Sequence, residues 1–108
     1  MTDIIRRLVE CYGPSGSEGA VRDFIRAEVD SSGVLKHKGC QATVDALGNF
    51  SVLRKGSGGG KRVMLAAHMD EIGIVVSHID EKGFLRFSNI GGLRLLNLNG
   101  SRVRFADG

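Results

Sequence analysis

Apolar residues recur at spacings of three and four from Thr2 to Tyr12, at Ile4, Ile5, Leu8, Cys11 and Tyr12, which gathers them on one face of a helix. Gly13 and Pro14 stop that helix. Ser15 stands three residues before Glu18, the spacing at which a cap hydroxyl and a returning carboxylate satisfy free amides, and Val21, Phe24, Ile25 and Val29 follow. A second amphipathic helix is therefore predicted to about Asp30. The matching periods predict that Ile5 and Leu8 meet Phe24 and Ile25, with both helices lying on a sheet that contains Val63 and Leu65. Residues 31–38, with Gly33 and Gly39 nearby, lose the helical period and read as a surface connection or a helix end.

Beyond that point the period shortens. Ala42 to Arg54 alternates around Asp45-Ala46-Leu47-Gly48-Asn49, with Gly-Asn at the turn of a predicted hairpin. Gly56-Ser57-Gly58-Gly59-Gly60 is a flexible loop; a Walker phosphate loop needs Ser or Thr after its Lys, and Lys61 is followed by Arg62. Arg62 to Ala67 is a short apolar run of the kind that forms a strand buried on both faces in an α/β sheet. It ends at His68. Ile72 to Ile79 and Phe84 to Phe87 flank Asp80-Glu81-Lys82-Gly83, a second predicted hairpin. After breaks at Gly91-Gly92 and Gly100, Ser101 to Ala106 alternates Val103 and Phe105 with Arg102 and Arg104, predicting a further strand. The chain thus reads as α/β up to about residue 71 and as all-β from residue 72 onward. The second unit is expected to be incomplete, with strand edges that favour self-association.

Composition narrows the function classes. The 108 residues fit one small domain, and the 16 glycines against one proline agree with a turn-rich chain. The net charge is +3, with four basic and six acidic residues in 1–30, six and one in 31–69, and five of each in 70–108. No dense basic stripe results, and with no Trp and 6% aromatics the base-stacking surfaces of nucleic-acid binders are poorly supplied. Neither nucleic acid nor a membrane is an expected partner. Cys11 and Cys40 lack metal-motif spacing, and charges interrupt the first apolar stretch as they would not in a signal peptide. A reduced, cytoplasmic setting with buried or incidental thiols is expected.

Candidate chemistry concentrates in His68-Met69-Asp70-Glu71, where the predicted buried strand ends. Strand ends in open α/β sheets are where ligands bind. A carboxylate two residues beyond an imidazole can accept one ring N–H and leave the other nitrogen for a metal; a strand-end His tied to a turn Asp without any ligand is the plainer alternative. His37, between two lysines, and His78, in a hairpin strand, have no ligand spacing to His68. Asp80 and Glu81 read as solvated turn residues. Ser15 and Ser17 read as helix caps.

Five motifs occur in order: Gly13-Pro14-Ser15-Gly16, Val44-Asp45-Ala46-Leu47-Gly48-Asn49, Leu65-Ala66-Ala67-His68-Met69-Asp70-Glu71-Ile72-Gly73, Ser77-His78-Ile79-Asp80, and Gly83-Phe84-Leu85. Together they resemble the glutamyl and deblocking aminopeptidases, co-catalytic metallopeptidases of which some carry the name cellulase M or endoglucanase. The resemblance implies an α/β catalytic domain, represented by residues 1–71, interrupted by a small PDZ-like β-barrel that begins at residues 72–108. It implies two divalent metal ions, zinc or cobalt, with His68 as a metal ligand and Asp70 as the catalytic-site residue that orients it. It also implies a peptide substrate and a homo-oligomer in which dimers assemble into a tetrahedral dodecamer. The family's bridging Asp, general-base Glu and remaining ligands lie beyond residue 108 in its pattern.

The sequence is thus expected to be the N-terminal portion of a metal-dependent aminopeptidase that removes N-terminal residues through a metal-activated water, inactive as these residues alone. One His and one supporting Asp cannot hold two ions and supply a base. The alternatives are a non-catalytic binding or assembly module on the same scaffold, and, as a minor reading, the endoglucanase activity that some relatives' name suggests. Glycoside hydrolysis would need two spaced carboxylates, which nothing here marks.

Overall fold

A computed structural model describes residues 2–106. Helices α1 (Thr2–Glu10) and α2 (Gly19–Ser31) stand where the apolar period predicts them. The first closes early because the Cys11 amide bonds to the Leu8 carbonyl at 3.2 Å, a tightened last turn. The expected reciprocal cap between Ser15 and Glu18 does not form. Glu18 is itself the residue that caps α2 and makes no side-chain cap bond; its carboxylate accepts the Gly16 amide at 2.7 Å. At the other end the Ser31 and Ser32 hydroxyls donate to the Glu28 and Val29 carbonyls, and Gly33 at φ 74° turns the chain out of the helix.

Strands β1 (Cys40–Val44) and β2 (Phe50–Arg54) form the first antiparallel hairpin, paired from Cys40 with Arg54 to Val44 with Phe50. Strands β3 (Gly73–Ile79) and β4 (Leu85–Ile90) form the second, with a bulge at Ser77 between the Val76–Phe87 and His78–Arg86 pairs. Both turns are built alike. Asp45 Oδ1 accepts the amides of Leu47 and Asn49, and Asp80 Oδ1 accepts those of Lys82 and Phe84. A glycine three residues after each Asp, Gly48 at φ 87° and Gly83 at φ 84°, takes the left-handed position that lets the strand resume.

The first turn carries a pH signature. The Asn49 side-chain amide, with help from the backbone amides of the turn, holds the Asp45 carboxyl below its ordinary value of 3.8. A carboxyl lowered by folding contributes stability above its unfolded pKa, and that contribution disappears as pH falls through the lower folded value. The Asp45 carbon signal in NMR is therefore expected to titrate below 3.8, with the hairpin amides unchanged until then, and Asn49→Ala should move that titration upward.

Three expectations fail for one reason. Arg62 to Ala67 is extended but pairs with no strand among the described residues, leaving Val63 83% and Leu65 95% exposed. A run patterned for burial on both faces needs a neighbour at each edge and a layer above and below, and the described chain supplies none. Ser101 to Ala106 is likewise not a strand. The expected sheet containing Val63 and Leu65 is absent among the described residues, so the helices do not pack on it: Ile5 is exposed, and α1 meets α2 through Arg7, which bonds Glu28 at 2.8 Å and stacks 4.6 Å over the Phe24 ring.

The radius of gyration is 18.6 Å, against about 13 Å for a compact chain of this length. The accessible surface is 9417 Å², against roughly 5,800 Å² for a folded monomer of this mass. The one buried hydrophobic residue among the described residues is Val21. It presses on Gly13, where the chain after α1 meets the segment after His68.

Candidate functional site

That meeting point organises the site. Gly13 and Pro14 are buried, and Pro14 forms a parallel bridge with Glu71. The Glu71 amide donates to the Gly13 carbonyl at 2.9 Å, and the Gly13 amide donates back to Glu71 Oε1 at 3.2 Å. Two segments 58 positions apart are thereby locked together. Glycine suits position 13 for this, because a Cβ there would collide with Val21 Cγ2.

The lock sets Asp70 between two donors. Its Oδ1 lies 2.9 Å from His68 Nδ1, and its Oδ2 accepts the Ser15 hydroxyl at 2.5 Å. The Asp70 carbonyl oxygen is also 2.9 Å from His68 Nδ1. Both neighbours of Nδ1 are acceptors, so the proton of a neutral His68 resides on Nδ1 and the lone pair on Nε2. The Ser15 hydroxyl, and after it the imidazole, hold the Asp70 carboxyl below its ordinary value. The His68 side chain is 85% exposed, so Nε2 is open to a ligand. Around it lies a shallow hollow of about 190 Å³, walled by Glu18, the β1–β2 turn at Leu47 and Asn49, and Phe50.

His68 and Asp70 are thus brought together as their spacing predicts. His37 and His78 are exposed, and neither lines the hollow around His68. Asp80 serves its own turn and an ion pair with Arg86 at 3.6 Å; the larger hollow beside it, about 450 Å³, is an open turn surface lined by Glu81, Lys82, Phe84 and Arg86 as well. Among the described residues no cluster of three or more His, Cys, Asp or Glu side chains converges as a metal cage. Ser15 was expected as a helix cap and is instead a partner of Asp70. Its sequence signal was the Gly13-Pro14-Ser15-Gly16 motif, whose significance local spacing could not reveal because the partner lies 55 residues away. Cys11 and Cys40 are free thiols. No helix among the described residues is long and apolar enough to cross a membrane.

A loop-braced His-x-Asp pair thus stands at the end of an apolar segment, and the comparisons with known proteins name a family for the chain. The family model of the M42 glutamyl aminopeptidases matches residues 48–108. The chain belongs to that family, as its ordered motifs suggested. Among relatives, a protein of Acetivibrio thermocellus provisionally named an aminopeptidase is 42% identical over all of this chain and 30% of its own length. A lysyl aminopeptidase of Pyrococcus furiosus is 38% identical over 95% of this chain and 28% of its own length. A glutamyl aminopeptidase of Lactococcus lactis is 36% identical over 93% and 27%. The chain spans less than a third of the length of each.

Proposed function

We propose that the protein works as a metal-dependent aminopeptidase, releasing N-terminal residues from peptides, and that this chain supplies the start of its catalytic domain. The observation that carries the reading is the His68–Asp70 pair in a member of the M42 family. A neutral imidazole with its Nδ1–H on a carboxylate and its Nε2 open is the donor that zinc or cobalt takes, so the residues present fit such an ion. His68 would hold it, and Asp70 would fix the ring. Bound divalent ions would supply an acidified water and polarise the scissile carbonyl.

The chain's own residues do the remaining work described here. The Asp70 carboxylate keeps the His68 proton on Nδ1, and the Gly13–Glu71 lock keeps Asp70 in place. Residues 72–108 are proposed to begin an inserted barrel, and the uncovered apolar surface suits burial against further polypeptide of the same catalytic domain and against other subunits of a dodecameric particle. A cytoplasmic location fits the free thiols. The test is hydrolysis: the natural gene product at its full length, supplied with zinc or cobalt, should release p-nitroaniline from aminoacyl p-nitroanilides and lose that activity to a chelator. Binding of peptides without hydrolysis under every metal condition would favour the non-catalytic module instead.

A further inference from the structure

We infer that Ser15 is a positioning residue for the site, acting through Asp70 on the orientation and tautomer of His68; this rests on the reading of His68 as a metal-facing imidazole. Asp70 offers two carboxylate oxygens. Were only Oδ1 engaged, by His68, the carboxylate could rotate about its bond to the chain and present either oxygen or neither to the ring. The Ser15 hydroxyl on Oδ2 removes that freedom. A hydrogen bond to an ionised acceptor is about twice as strong as one between neutral groups, so a single hydroxyl suffices as a second anchor.

The geometry of the loop points to the same role. Ser15 carries no cap duty, because α2 begins only at Gly19 with Glu18 as its cap residue. Its backbone is fixed on the N-terminal side by the Pro14–Glu71 bridge and the Gly13 bonds, and on the C-terminal side by the Ser17 amide, which donates to the Pro14 carbonyl at 2.8 Å. The hydroxyl is thus delivered by a loop that grips the residue next to Asp70. Pro14 closes the arrangement from the far side, since a Cβ at Gly73 would stand 3.1 Å from Pro14 Cβ. Ser15, Asp70 and His68 form one chain of donors and acceptors whose free end is His68 Nε2.

The experiment compares wild type, Ser15→Ala and Ser15→Thr in the natural gene product at its full length. The first readout is the neutral His68 tautomer, read from ring nitrogen shifts of ¹⁵N-histidine-labelled, metal-free protein and assigned by the signal missing in His68→Ala. The second is zinc affinity by chelator competition. The Asp70 carbonyl oxygen stays beside Nδ1, so Ser15→Ala should lower the Nδ1–H population rather than abolish it, and should weaken zinc binding roughly 10-fold, the lower end of the effect of removing a group behind a metal ligand. Ser15→Thr, which keeps the hydroxyl, should restore both, and the thermal midpoint of the metal-free protein should be the same for the two variants. An unchanged tautomer in a folded Ser15→Ala protein, or a threonine variant no better than alanine, overturns the inference. Absence of zinc binding by the wild type would sink the metal reading, while the tautomer comparison would still judge the role of Ser15.

Discussion

His68→Ala is expected to bring peptidase turnover of the natural gene product to background and to release at least one metal equivalent. The imidazole is the one side chain among the described residues whose free nitrogen is both uncommitted and backed by a carboxylate. Asp70→Asn should be milder, since the amide oxygen still accepts the His68 Nδ1–H but carries no charge, and metal affinity should fall about 10- to 100-fold. Metal analysis and turnover of aminoacyl p-nitroanilides check both. The 108 residues by themselves should bind zinc weakly and turn over no substrate, because one imidazole cannot hold two ions. Turnover by these residues alone that His68→Ala abolished would mean that they contain a working centre, completed by a second copy of the chain.

The second large effect is structural. Gly13→Ala drives a methyl group into Val21 Cγ2 and sets it 3.8 Å from the Met69 carbonyl oxygen. The first contact is far inside van der Waals distance, and the backbone of residue 13 cannot retreat without breaking its two bonds to Glu71. Overpacking of this kind costs about 1–3 kcal/mol. Since the same segment delivers Ser15 to Asp70, metal affinity should fall along with the thermal midpoint. Adding Val21→Ala removes the clashing methyl groups, so the double variant should be less destabilised than the sum of the two single changes. Simple additivity would mean that the Val21 contact is not what requires a glycine at position 13.

Much of this molecule was legible along the chain, and each success has a local cause. The helices follow from apolar residues at Ile4, Ile5 and Leu8 and at Val21, Phe24 and Ile25, and the turns from an Asp with a glycine three residues later, at Asp45 with Gly48 and at Asp80 with Gly83. The His68–Asp70 contact was legible too, because two residues of extended chain bring a carboxylate back to a ring nitrogen without help from elsewhere.

Tertiary structure alone decided the rest. Ser15 and Glu18 carry the spacing of a reciprocal cap, yet Ser15 bonds Asp70, because the Pro14–Glu71 bridge brings a charged acceptor within its reach. Arg62 to Ala67 has the composition of a central strand and is not one here, because a strand exists only when another backbone satisfies its amides and carbonyls. Helix and turn preferences are settled by neighbours a few residues away, whereas sheet pairing and the seating of a site are settled by whichever distant segment arrives. The sequence by itself determined the family, the helices, the two hairpins and the His-Asp pair; only the tertiary structure decided that Gly13 and Ser15 belong to the same site, since nothing local links them to residues 70 and 71.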